Sequence, residues 1–148
     1  MNAVHTGACV CGAVRYLAHG EPLFATVCHC RFCQRRLASA FAVMASFPEA
    51  SLEVTQGQLQ ECEHRSDESG RWLRMNFCPR CGTTIYHTAE VRPGILTIAA
   101  GTFDETQWFS ITRHIWVRSK LPWVSIPLGV PSFDRGVPQA PPPAGAGQ

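Results

Sequence analysis

Seven of the eight cysteines in this 148-residue chain fall into three tight groups, and no other feature constrains the fold as strongly. The groups are Cys9-x-Cys11, Cys28-x-Cys30-x-x-Cys33 and Cys78-x-x-Cys81, with Cys62 alone. Two arguments oppose a disulfide framework. The N-terminus, MNAVHTGACVCG, has neither the basic start nor the apolar stretch of an export signal, so the expected location is cytoplasmic, where thiols stay reduced. Thiols spaced one residue apart also point to opposite sides of an extended chain. In a turn, by contrast, two sulfurs can share one small ion at ~2.3 Å each. Soft thiolates select zinc, copper(I) or iron–sulfur clusters, and knuckles of this form favour zinc, with an iron–sulfur cluster as the alternative. Seven clustered thiolates divide into four, which close a structural site, and three, which leave a position open.

Glycine tells which groups belong together. Cys78-Pro79-Arg80-Cys81-Gly82 has the form of a rubredoxin-like knuckle, and Cys9-Val10-Cys11-Gly12 repeats its logic in a tighter turn. Together they make a four-thiolate site across 66 intervening residues. Closing such a loop costs about 4 kcal/mol of chain entropy, whereas structural zinc returns ~10–16 kcal/mol in small peptides. The central group supplies three sulfurs, Cys28, Cys30 and Cys33. Cys33 opens a stretch, QRRLAS, that reads as the first turns of a helix, whose N-terminus favours the thiolate. The fourth ligand is open between His29, Cys62, water and a substrate. His29 reads better as a hydrogen-bonding or surface histidine, Cys62 as a small buried strand residue, and an exchangeable position as the best assignment.

Apolar residues make up 45% of the chain and charged residues 16%, enough to bury a core and to exclude general disorder. A net charge of +2 is too nearly balanced to indicate nucleic-acid binding, and no apolar run reaches the roughly 18 residues of a membrane span. Alternation predicts strands at Val14 and Tyr16 and at Leu73–Phe77, and short apolar or β-prone segments predict others at Phe24–Val27, Phe41–Phe47, Leu52 and Val54, Ile85, Ile95–Ala99 and Ile115–Val117. Short strands divided by turn residues imply a mainly β fold of antiparallel, partly closed sheets with little helix. Residues 1–136 then form one domain, and VPQAPPPAGAGQ, from Val137 to Gln148, is expected to be a flexible tail.

Gly7-x-Cys9-x-Cys11-Gly12-x-Val14-x-Tyr16, Cys28-His29-Cys30-x-x-Cys33 and Phe77-Cys78-x-x-Cys81-Gly82-Thr83 resemble the glutathione-dependent formaldehyde-activating enzyme family, also called the centromere protein V family. Ala100-Gly101-Thr102-Phe103-Asp104, His114-Ile115-Trp116 and Pro122-Trp123 resemble its later segments, so the likeness covers roughly residues 4 to 127. It implies an Mss-four-like fold with two zinc ions. Cys9, Cys11, Cys78 and Cys81 would hold the structural ion; Cys28, Cys30 and Cys33 would hold the catalytic one. One departure stands out: where members carry a small polar residue followed by glycine, this chain has Leu37 and Ala38, which bears on substrate more than on metal.

Three thiolates leave a zinc centre with net negative charge, which weakens its pull on bound water and makes hydrolysis the less natural chemistry. An incoming thiol can bind there as thiolate and remain nucleophilic. The expectation is carbon–sulfur lyase or synthase chemistry on a thiol–aldehyde adduct. The resemblance names glutathione and formaldehyde as partners and S-(hydroxymethyl)glutathione as product. His29, His87 and His114 are candidate general acids. If Arg31, Arg35, Arg36, Arg71, Arg74 and Arg80 converge, they can hold the carboxylates of an anionic thiol. Trp116 and Trp123 are the tryptophans expected to line a pocket. Two rival readings are a non-enzymatic zinc-stabilised interaction module and a redox cysteine within the central group.

Overall fold

A computed structural model describes residues 3–138, whose alternating segments become ten strands and one α-helix. In chain order these are β1 (Val4–Ala8), β2 (Arg15–His19), β3 (Phe24–Cys28), α1 (Arg31–Leu37), β4 (Ala42–Pro48), β5 (Leu52–Gln56), β6 (Gln60–Arg65), β7 (Trp72–Phe77), β8 (Thr84–Ala89), β9 (Ile95–Ala99) and β10 (Arg113–Ile115). A three-stranded sheet has the order β1-β2-β5, and a seven-stranded sheet the order β10-β3-β4-β9-β8-β7-β6. Pairing is antiparallel except between β10 and β3, which run parallel. Both sheets are open rather than partly closed. Val117, expected to extend the last strand, instead begins a single 3-10 turn.

The pleat of β4 divides the interior in two. Ala45 and Phe47, with Val43, face a core shared with Val14, Tyr16 and Ala18 of the smaller sheet and its hairpin, and with Leu96 and Ile98 of β9. Ala42 and Met44 point the other way, into a second cluster with Cys28, Cys33 and Ile115. A shift of register opposite Asn76 and Phe77 lets Ile85 and Tyr86, adjacent on β8, both pack with the first core. That shift leaves His87 in register with Thr97, on the second face. Val137 packs against the second cluster, one residue beyond the expected end of the domain. Residues 139–148 of the expected tail lie outside the described residues.

The helix starts two residues earlier than its sequence suggests, because Cys30 caps it: the Cys30 sulfur accepts a hydrogen bond from the Cys33 amide at 3.2 Å. It ends in a Schellman turn, with the Ser39 amide donating to the Gln34 carbonyl and the Ala38 amide to that of Arg35. Ala38 therefore sits in the left-handed region at φ 48°, where a Cβ is strained. Ala38→Gly is expected to stabilise the fold by about 1 kcal/mol in denaturant titration. Gly7 presents the opposite case. A Cβ there would overlap the phenol ring of fully buried Tyr16, whose hydroxyl is held by Thr102 at 2.8 Å. Gly7→Ala is expected to cost about 1–3 kcal/mol in the same titration.

Candidate functional site

Two hairpin turns, one from each sheet, bring four sulfurs together. The β1–β2 turn carries Cys9 and Cys11, and the β7–β8 turn carries Cys78 and Cys81. Each turn closes on a glycine with positive φ, Gly12 at 76° and Gly82 at 79°. Their amides donate back to the carbonyls of Cys9 and Cys78 at 3.0 and 2.8 Å. All four sulfur atoms lie within 4.8 Å of one another. Ligands ~2.3 Å from a tetrahedral zinc stand about 3.8 Å apart, and the Cys9–Cys11 and Cys11–Cys78 sulfurs are separated by 3.6 and 3.8 Å. Hydrogen bonds from the Thr83 side chain and amide pull Cys81 down to about 5. Donor type and spacing both suit a metal ion.

Cys28, Cys30 and Cys33 form the second group, also within 4.8 Å of one another. They come from the end of β3, the helix cap and the first helical turn. The three thiols compete for protons. Bonds from Cys28 and Cys33 pull Cys30 down to about 3, and the bond to Cys30 pushes Cys28 far up. Cys33 rises to about 11: a bond from Cys28 is outweighed by its bond to Cys30 and by burial. Releasing the remaining protons would crowd three negative charges, a cost that a dipositive ion removes. Arg36 already contributes positive charge, favouring the Cys30 and Cys33 thiolates from a buried guanidinium that touches the Met44 sulfur. This donor set also fits zinc. All eight cysteines are free, and Cys62, expected to be buried, is exposed on β6 and apart from both groups.

His29 is fully buried and turned away from its cysteine neighbours. Its Nε2 lies 2.9 Å from Nδ1 of His114, the rings stack, and burial pushes both histidines down. His29 thus has the hydrogen-bonding role expected of it, and it is not a surface residue. His87 lines a large cavity, and burial first and then Arg36 push it down to about 3. It stays neutral near pH 7, so it can donate a hydrogen bond but holds no spare proton there.

A cavity of about 1040 Å³ opens beside the three-sulfur group, and Cys28, Cys30 and Cys33 all line it. None of the four other clustered cysteines does. Phe32 and His64 stack at 4.3 Å, joining the helix to the β6–β7 arm at the cavity edge. Trp116 lines the cavity as expected; Trp123 is exposed, while Trp72 lines it without having been singled out. Of the six arginines near the knuckles in sequence, Arg31 and Arg71 reach the cavity and Arg35, Arg36, Arg74 and Arg80 do not. Arg74 instead pairs with Glu63 at 3.0 Å and covers Trp72. Arg92, Arg113 and Arg118 take their places. Arg113 shares the Ile115 face by alternation, but its place at the cavity depends on the pairing of β10 with β3. Arg92 sits in a turn and carried no such sign. Leu37 and Ala38 do not line the cavity.

The profile of the family described as "Glutathione-dependent formaldehyde-activating enzyme" matches residues 4–119. The chain belongs to this family. Family membership supports a glutathione-related, formaldehyde-activating enzyme function at that general level. A crystal structure of a Rhodobacter sphaeroides protein superposes with a TM-score of 0.51 at 24% identity, covering 86% of this chain and 98% of that one, which shows a shared fold. No helix among the described residues is long and apolar enough to cross a membrane.

Proposed function

We propose that this protein is a carbon–sulfur lyase that joins glutathione to formaldehyde as S-(hydroxymethyl)glutathione and also runs the reverse reaction, in the cytoplasm. One observation carries the reading: the three-sulfur group, one ligand short of a tetrahedron, opens onto the large cavity, and the four-sulfur group does not. Cys28, Cys30 and Cys33 would hold a catalytic zinc, while Cys9, Cys11, Cys78 and Cys81 would hold a structural one. Zinc bound to the trio supplies a place where a thiol gives up its proton and stays nucleophilic near pH 7.

The chain's own residues do the rest. The cavity orients the peptide thiol and, between Phe32, Trp72 and Trp116, limits water at the reacting sulfur. That sulfur attacks the aldehyde carbon, the carbon–sulfur bond forms, and the carbonyl π pair moves to oxygen. The oxygen takes a proton equal to the one the thiol released, so atoms and charge balance. Neutral His87 can steady the developing oxygen charge by hydrogen bonding, and water supplies the proton. A narrow aldehyde needs no more space than a gap beside the sulfur.

Purified protein is expected to hold two zinc ions by elemental analysis. Cys30→Ser is expected to retain the fold and lose one ion, whereas Cys78→Ser should lose the other and unfold. Collapse of the fold in Cys30→Ser would favour an interaction module, and retention of both ions would favour a redox thiol. In exchange NMR on mixed glutathione and formaldehyde, the zinc-loaded protein is expected to accelerate interconversion with the adduct, and Cys30→Ser to abolish that acceleration. Exchange no faster than the spontaneous reaction would overturn the substrate assignment.

A further inference from the structure

Arg92 and Arg113 flank one aromatic ring on the cavity wall. The Arg113 guanidinium lies 3.8 Å from the centroid of Phe24 and that of Arg92 lies 5.2 Å from it. Arg113 donates from Nε to the Thr26 hydroxyl at 2.9 Å, which fixes its stem and leaves its terminal nitrogens for another partner. Both arginines are half-buried, and among the described residues neither has a carboxylate within salt-bridge distance. Arg118, by contrast, has Glu68 at 4.0 Å, and Arg74 is paired. Two neighbouring cations, partly desolvated and without a carboxylate partner, repel each other. Burial lowers the pKa of each, and the charge on Arg92 lowers that of Arg113 further. Such an arrangement gains most from a bound anion.

We propose that Arg92 and Arg113 form a carboxylate clamp that selects a peptide-length anionic thiol by the distance between its sulfur and its carboxylate. Strand geometry sets the ruler. Phe24, Thr26 and Cys28 alternate along β3 and face the same side, so Thr26 stands roughly 7 Å and Phe24 roughly 13 Å from Cys28. An extended tripeptide thiol carries its terminal carboxylates roughly 6–9 Å from sulfur by standard bond lengths, and the arginine side chains reach across the remainder. A two-carbon mercapto acid, with its carboxylate roughly 3 Å from sulfur, cannot touch both ends. The clamp deepens the proposed reaction and rests on it for the position of the sulfur, but anion binding itself can be measured without turnover.

The test is calorimetric titration of the zinc-loaded protein with S-methylglutathione, which has both carboxylates and no free thiol. Arg92→Gln and Arg113→Gln are each expected to weaken its binding about tenfold or more while both zinc ions are retained. On the unaltered protein, the diethyl ester of S-methylglutathione is expected to bind at least about tenfold more weakly than the parent, which keeps the test independent of any folding defect. Equal binding of acid and ester would overturn the clamp, as would inorganic phosphate binding as tightly as S-methylglutathione. Failure of the exchange experiment alongside arginine-dependent binding would leave the clamp standing and remove only the lyase reading.

Discussion

Sulfur placed at the ends of strands governs this fold, because each cysteine group belongs to a different hydrophobic cluster. Cys9 and Cys78 are buried in the core between the two sheets, beside Tyr16, Phe47 and Ile85. Cys28 and Cys33 are buried in the other cluster, with Met44 and Ile115. Burying each large side chain stabilises by ~1.5–3 kcal/mol, and the smaller sheet, whose strand β5 is mostly exposed, buries Tyr16 and Ala18 in a core shared with the larger sheet. The four-sulfur group sets its hairpin turn beside a turn separated from it by 66 intervening residues, at the edge of the shared core. On the proposed reading, an ion held there would tether these turns and fix the sheets against each other, while the opposite face of β4 carries the cavity.

Much of this was legible in sequence because period-two alternation and cysteine spacing are local signals. Leu73–Phe77 alternates cleanly and the apolar run Phe41–Phe47 is short enough to read as a strand; they become β7 and β4 within a residue. The cysteine groups were legible for the same reason: each is completed within four to six residues, and Gly12 and Gly82 mark the turns of two of them. What stayed hidden was long-range. The parallel pairing of β10 with β3 joins residues 87 apart, as Arg113 with Thr26, and no local pattern encodes it. That pairing brings Arg113 to the cavity, so missing it meant missing the arginine. Cys62 misled for a related reason. Its alternating neighbours identify a strand correctly, but nothing nearby reveals that β6 is the edge of the sheet, with no further strand to cover it.

Charge organises the cavity as strongly as shape does. Five arginines line it, Arg31, Arg71, Arg92, Arg113 and Arg118, against the carboxylates of Asp67 and Glu68. A concave, partly desolvated surface with excess positive charge concentrates anions and speeds their arrival. The same field favours thiolate over thiol, which is the direction in which Arg36 already acts on Cys30 and Cys33 from behind the wall. On the proposed reading, the attraction of an anionic thiol by the lining arginines and the favouring of thiolate by Arg36 act in the same direction. Acidic substitution near Arg92 or Arg113 would oppose both, whereas a change at Leu37 or Ala38, away from the lining, would act through the helix that carries the cysteines.

On the proposed reading, this division also decides where specificity resides. Binding free energy reaches at most ~1.5 kcal/mol per heavy atom for the smallest ligands. Formaldehyde has two heavy atoms and no charge, so the cavity can gain only a few kcal/mol from it, about what one misplaced methylene costs in a fitted pocket. A peptide thiol brings many more atoms and two carboxylates to a cavity of about 1040 Å³. Selection must therefore fall on the thiol, and the aldehyde is read mainly by the space left beside the sulfur. A slightly larger aldehyde should compete at a cost set by Phe32, Trp72 and Trp116, whereas loss of a carboxylate from the thiol leaves a half-buried arginine without its partner, the larger penalty.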